Sequence, residues 1–404
     1  MSSPHLPAEL LDHVVDHLHD TKHTLGTCCL VSKSWIPRTR IHLFASVRFD
    51  TAEKLRSWKE TFPNPPTSPA CYAKSLFVNC RCVTAEDAEV GWWISGFSRV
   101  VHLEVATSHS SDAIQLAGIL PLFYGLSPAI KSLCVKAFAL PSSQAFDLIL
   151  SFPLLEDLSV TTHSDMFANR IGDPDGQSII VWSPAPPMTG SLKLLHRGTN
   201  HITRRLSSLP GGIHFRKLIL TWYHEEDVLS TNALVAGCSH TLESLHITCE
   251  LPGASIRHRI RTENLLPSLA DPTSASIDLS KAVGLKDVVF QAGSQAINWI
   301  TVALRTITPR HRDLRQISIH VPYYYSSLIS IGGDVRQFIG ETGCQQWSDL
   351  DRILVQSWES RSIRPSVICA TSTGDGKDVT SCIGSLMPEV TRMGIIDMVQ
   401  LCVP

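Results

Sequence analysis

The sequence predicts an α/β chain: a short N-terminal unit of three helices, then an irregular solenoid with parallel strands inside and helices outside. Three observations predict it. A strand-like motif, apolar-x-x-Leu-x-apolar, recurs along most of the chain; segments with helical apolar spacing separate several copies; and the first fifty or so residues carry short amphipathic stretches without that motif.

Composition sets the bounds. At 404 residues, 43% hydrophobic and 18% charged, the chain is long enough to bury a large core and is not a disordered tail. Lys plus Arg (35) nearly balances Asp plus Glu (37) and no long basic run occurs, which argues against nucleic acid as a partner. Met1 to Leu10 lacks the basic stretch and apolar core of a secretory signal, and Pro interrupts apolar stretches such as Ile119 to Leu126, which argues against a membrane. A soluble protein of the cytoplasm, the nucleus or both is expected. The 12 Cys are scattered, with Cys28 and Cys29 adjacent at apolar positions, and read as reduced, mostly buried small hydrophobes.

The first helix opens at Leu6-Pro7-Ala8-Glu9-Leu10-Leu11, with Pro7 in the first helical turn and apolar residues continuing at Val14, Val15 and Leu18. After the polar break Asp20 to His23, a second apolar set, Leu25, Cys28, Cys29, Leu30 and Val31, leads through Ser32-Lys33-Ser34 to Trp35. Pro37 marks a boundary, and Ile41, Leu43 and Phe44 suggest a third helical turn before the strand-like Ser46 to Phe49. Three helices in so short a stretch bury little surface alone, so the unit needs a partner.

This series, from Leu6-Pro7-Ala8-Glu9-Leu10-Leu11 through Leu30-Val31-Ser32-Lys33-Ser34-Trp35 to His42-Leu43-Phe44, resembles the F-box, in the variants common in fungal proteins. The resemblance covers about a tenth of the chain. It implies docking on a Skp-family linker subunit and, through it, on a cullin-RING ubiquitin ligase. Carried over position by position, Leu6, Pro7, Leu10, Leu30, Val31 and Trp35 are the linker-contacting or core-forming residues. The alternative on the residues alone is that these helices cap the end of the following repeats, and docking is the favoured reading.

Residues 50–72, with Phe62 to Pro69 rich in proline, read as a linker, which divides the chain into 1–49, 50–72 and 73–404. The strand motif then begins at Ala73, Val100, Ile130 and Leu155, and again at Phe215, Leu242, Leu285 and Leu314, with a degenerate copy at Leu192-Lys-Leu-Leu195. Successive starts lie about 23 to 43 residues apart, so the repeat is irregular. Ala113 to Leu120, Ala145 to Leu150 and Ile297 to Leu304 show helical spacing between strands. Trp347, Leu350, Ile353 and Leu354 share a later helical face; Ser366 to Ala370 reads as a last strand and Ile383 to Leu401 as a closing helix. Insertions at about Met166 to Ile180 and Leu251 to Leu279 read as long loops. The whole resembles a leucine-rich-repeat horseshoe, which implies protein binding on the concave face.

Side chains alternate along a strand, so residues beside the buried Leu-x-apolar pair face that surface. The candidates for contact with a target protein are His102, Glu104, Asp157, Thr161, Thr221, His246, Gln291 and His320. This surface is mixed and mostly uncharged. Tyr323-Tyr324-Tyr325 offers hot-spot chemistry, or packs against the edge of the repeats.

Signals for chemistry are weak. His13 and His17 stand one helical turn apart without the Glu of a zinc protease, and read as the solvated face of the first helix. Cys80 and Cys82, with Cys71 upstream, lack a second pair at finger-like spacing. Thr373 to Asp378 lacks the first Gly and the hydroxyl residue of a phosphate loop and reads as a turn. No Gly-x-Ser-x-Gly elbow occurs. The expectation is therefore a protein without catalytic, cofactor or metal residues. The resemblance implies a substrate-recognition adaptor of a ubiquitin ligase, binding the linker through its N-terminal helices and an unidentified target through the repeats. The alternative is a linker-binding or general interaction scaffold with no role in degradation.

Overall fold

The computed structural model describes residues 7–84, 86–87, 91–107, 119, 122–124, 126, 128–137, 142–162, 186–195, 200–209, 211–222, 225–249, 276–292, 297–321, 335–361, 363–371 and 383–400. It divides into two compact units, Met1–Pro187 and Met188–Pro404.

In the first unit α1 (Ala8–His17), α2 (Lys22–Val31) and α3 (Ile36–Leu43) come first. Pro7 is the N-cap of α1, one position before the first-turn placement expected; its carbonyl accepts the Leu10 and Leu11 amides at 3.1 and 3.2 Å. Proline suits the position because an N–H there has no helical acceptor. A 3-10 turn, Lys33–Trp35, joins α2 to α3, and the Ser32 hydroxyl starts it by accepting the Ser34 amide at 3.3 Å. Pro37 lies in the first turn of α3, where its missing N–H is likewise harmless.

The unit continues with β1 (Ser46–Phe49), α4 (Ala52–Thr61), β2 (Ser75–Asn79), β3 (His102–Ala106), β4 (Ser132–Ala137), α5 (Ser142–Leu150) and β5 (Asp157–Thr162). Residues 50–72, expected as a linker, instead hold α4 and two short 3-10 turns, Pro65–Thr67 and Pro69–Tyr72. The cause is local. Thr51 caps α4 by accepting the Lys54 amide at 3.4 Å, and Leu55, on the helix, is buried at 1% exposure. Trp58 stacks on Phe97 at 5.7 Å, while Phe49 meets Trp58 and Trp93 edge-on at 5.7 and 5.6 Å. Gly96 lets the proline-rich turns approach: a Cβ there would lie 3.0 Å from the Pro65 carbonyl oxygen and 3.1 Å from the Ala70 Cβ.

Strands β1 to β5 stand in sequence order, every pair parallel. The strand Ser46–Phe49 therefore belongs to the sheet. Leu76, Leu103, Leu133 and Leu158 are in register and buried, as are Val78, Val105, Val135 and Val160 two residues on. Each such leucine contributes roughly 1.5–3 kcal/mol relative to exposure, so the stack of equivalent positions sets the strand register.

The second unit comprises β6 (Ser191–Leu195), α6 (Asn200–Ser207), β7 (Lys217–Trp222), α7 (Glu225–Gly237), β8 (Ser244–Cys249), β9 (Asp287–Ala292), α8 (Ile297–Arg305), β10 (Gln316–Val321), α9 (Val335–Arg361), β11 (Arg364–Thr371), α10 (Pro388–Arg392) and β12 (Ile396–Gln400). These seven strands are again parallel and sequential. The degenerate copy at Leu192 is a true strand, in register with Leu218, Leu245, Val288 and Ile317, all fully buried. Parallel neighbours need a crossover between them, and helices supply several. Both units are thus the α/β repeat architecture expected, consistent with a leucine-rich-repeat solenoid.

The chain's end departs from expectation. The closing helix predicted over Ile383 to Leu401 is cut short: α10 begins at Pro388, Gly394 adopts a left-handed φ of 66°, and Ile396–Gln400 pairs parallel with β11. Pro388 cannot continue a preceding helix, and Gly394 turns the chain at no side-chain cost. Asp351 of α9, only 5% exposed, accepts the Glu389 and Val390 amides at 3.2 and 2.8 Å and so caps α10. Leu6, most of the Ala113 to Leu120 segment, Met166 to Ile180, Leu251 to Ala275, Tyr323 to Tyr325, Thr373 to Asp378 and Leu401 lie outside the described residues.

Candidate interaction surfaces

The N-terminal helices leave apolar side chains in water. Leu30 and Val31, at the end of α2, are 87% and 64% exposed; Leu10 and Val14, one turn apart on α1, are each 50% exposed. Pro7 is exposed and Trp35 half-buried. By contrast Val15, Leu25 and Cys28 are buried, so the three helices sort their apolar residues into an inner set and an outer set.

A charged clamp joins α1 to α3. Arg38 donates to Asp16 through Nε (2.6 Å) and Nη2 (2.5 Å), and His42 Nε2 lies 2.7 Å from Asp16 Oδ1. The Arg38 guanidinium, then His42, holds the Asp16 carboxyl far below the usual carboxylate range. Asp16, Arg38 and His42 were not singled out from the sequence, and nothing local marks them: the partners are 22 and 26 residues apart.

On the sheet of the first unit the predicted alternation holds. His102 is exposed and Glu104 and Asp157 half-buried, while their neighbours Leu103 and Leu158 are buried. Charges on this face engage one another: Lys136 Nζ donates to Glu104 at 2.7 Å, and the Arg48 guanidinium lies 4.0 Å from the Phe77 ring centroid. Thr161, like Thr221 in the second unit, is only 8% exposed. A short β-branched side chain on a packed sheet offers little area, so neither is a strong anchor for a partner.

The second unit's face is organised differently. Lys193, Ile219, His246, Val289 and Ser318 form one cross-strand row; Thr221, Thr248, Gln291 and His320 form the next. The His246 and His320 rings meet edge-on with centroids 6.4 Å apart. Burial lowers the proton affinity of both imidazoles, and His320, Lys217 and Lys193 lower that of His246 further. The structure thus brings His246, Gln291 and His320 together, beside Lys217, which strand alternation places on the same face, and Lys193, which it marks equally.

Comparison of the chain with protein-family models and with curated proteins gives no match. Its surfaces have to be read from their own chemistry.

His13 and His17 are exposed on α1 with their rings 4.6 Å apart. Among the described residues no group of three or more His, Cys, Asp or Glu is gathered to hold a metal ion. Cys80 and Cys82 are buried in a 3-10 turn, where burial pushes the Cys82 thiol up; burial likewise pushes Cys238 and Cys249 up to about 12. Thiols held protonated in this way are poor nucleophiles. An open groove of 510 Å³ is lined by residues of β1 and α4 and their neighbours, Phe44, Phe49, Trp58 and Phe62 among them. Among the described residues no helix is long and apolar enough to cross a membrane.

Proposed function

We propose that this chain is a substrate-recognition adaptor of a Skp-cullin-F-box type ubiquitin ligase, with the N-terminal helices seated on the linker subunit and a sheet face holding the target. The observation that carries the reading is the exposure of Leu30 and Val31 at the end of α2, beside the turn that bears Trp35. Two adjacent aliphatic side chains held in water on a small helical unit lose free energy until a partner covers them. They fall at the positions that the F-box resemblance assigns to linker contact. The Asp16 clamp supports the same reading, because it fixes α1 against α3 with polar groups and leaves apolar ones free for a groove.

Such an adaptor performs no bond chemistry of its own. It raises the effective concentration of a target beside activated ubiquitin, and the ligase's other subunits supply the reacting groups. The cytoplasm or nucleus, where the ligase acts, is the corresponding location.

The test is capture of purified Skp-family linker by the intact chain and by a Leu30→Asp, Val31→Asp variant, with circular dichroism to verify that both are folded. Capture by the intact chain and loss in the variant is the expected result. A folded intact chain that captures no linker overturns the reading.

A further inference from the structure

The charges on the second unit's open sheet face are unbalanced. Lys217 is exposed at the start of β7 and Lys193 half-exposed on β6. Register places Lys193 two strands from His246 in the same row, and Lys217 one strand from it and two residues along. Adjacent strands are about 4.8 Å apart, so both ammonium groups can converge on the ground in front of that ring. Among the described residues the ammonium group of neither lysine has a hydrogen bond or ion pair. The carboxylate on the neighbouring positions, Asp287, is engaged by the Ser244 hydroxyl. This contrasts with the first unit, where Lys136 is paired with Glu104.

A second observation falls at the same spot. His246 Nε2 is buried without a hydrogen-bond partner. A polar atom withdrawn from water and left unpaired is costly, and such atoms collect where another group is to be received. Two unpaired cations beside an unpaired imidazole nitrogen therefore suit a partner that brings negative charge and hydrogen-bonding groups.

We propose that this face binds an acidic segment of the target protein, its Asp or Glu carboxylates pairing with Lys193 and Lys217 beside His246. The inference rests on the adaptor reading for the role of the bound protein as target, while the patch and its chemistry are tested separately. Carboxylate fits better than phosphate here. Among the described residues the patch offers lysines, which act as point charges, and no arginine, whose planar fork matches phosphate with two parallel bonds.

The experiment measures fluorescence anisotropy of labelled dodecapeptides with the full chain: alternating Ser and Glu, the same peptide with Gln for Glu, and a charge-matched peptide carrying phosphoserine. The Ser-Glu peptide is expected to bind, more weakly as salt rises from about 50 to about 200 mM because the contacts are exposed and screened. Reversal of both charges, Lys193→Glu with Lys217→Glu, should weaken it at least about tenfold. Reversal of two exposed charges off the strands, Lys281→Glu with Arg310→Glu, should leave it unchanged. If charge reversal perturbs the circular dichroism spectrum, Lys193→Gln with Lys217→Gln carries the same test.

No binding of the Ser-Glu peptide, equal binding of the Gln peptide, or equal loss in the control variant overturns the proposal. Binding of the phosphoserine peptide more than about tenfold tighter than its charge-matched partner overturns the choice of carboxylate. Linker capture separates the two readings: a chain that captures linker but ignores the acidic peptide loses only this patch. One that binds the peptide but no linker loses the adaptor role and keeps the patch.

Discussion

Truncating Leu30 and Val31 together to Ala should abolish tight linker binding while leaving the chain as stable as before. Full burial of a Leu or Val side chain gives roughly 1.5–3 kcal/mol. Scaled by exposures of 87% and 64%, a partner that covers both side chains completely gains about 2 kcal/mol from Leu30 and a little over 1 kcal/mol from Val31. The joint loss of about 3 kcal/mol corresponds to a weakening on the order of a hundredfold or more in Kd. Folding should change by no more than about 0.5 kcal/mol, because side chains already in water have little packing to lose. The assay pairs isothermal titration with purified linker and urea unfolding of the isolated chain. A variant that binds as tightly as the intact chain refutes the assignment of these residues to the linker contact. One that is destabilised by about 2 kcal/mol or more refutes the premise that they are unpacked.

Three further outcomes are expected. Leu245→Ala, at a fully buried position between Leu218 and Val288, should cost roughly 2–5 kcal/mol in urea unfolding, in contrast to the exposed pair; a change under about 1 kcal/mol would mean that the register stack does not hold the sheet. Gly96→Ala should destabilise by roughly 1–3 kcal/mol, since the new methyl meets a backbone oxygen at 3.0 Å; tryptophan fluorescence during unfolding reports on the adjoining Trp58 and Trp93, and a neutral effect would show that the proline-rich turns can retreat. Stability should fall as pH drops below about 6.5: an unfolded imidazole takes up its proton there, while folded His246 and His320 resist it until lower pH. His246→Asn should flatten this slope in urea unfolding at about pH 7.5 and about pH 5.5, and an unchanged slope would assign the acid response to other groups.

Much of the fold was legible because the repeat is a local signal. Leu133 and Val135 announce β4 by alternation alone, and the same spacing located even the weak copy at Leu192. Helix α4 is masked in the sequence by the prolines that follow it, although Thr51, Leu55 and Trp58 mark it. Strand β12 is hidden in the sequence because its apolar residues continue the apolar run of the segment before it, although Pro388 and Gly394 stop a helix there.

By itself the sequence determined most of the strands, which side of each of these meets the core, and that a run of equivalent leucines stacks one upon another. Those are properties of near neighbours, governed by a period of two and by the burial of apolar area. Only the tertiary structure decided that Asp16 meets Arg38 and His42 and that Leu30 is left in water. It likewise decided that, among the described residues, the Lys193 and Lys217 ammonium groups stand unpaired beside His246 while Lys136 finds Glu104. The reason is physical: a charge is neutralised by whatever lies within a few ångströms in space, and strands carrying such charges are separated by connections whose lengths vary from repeat to repeat.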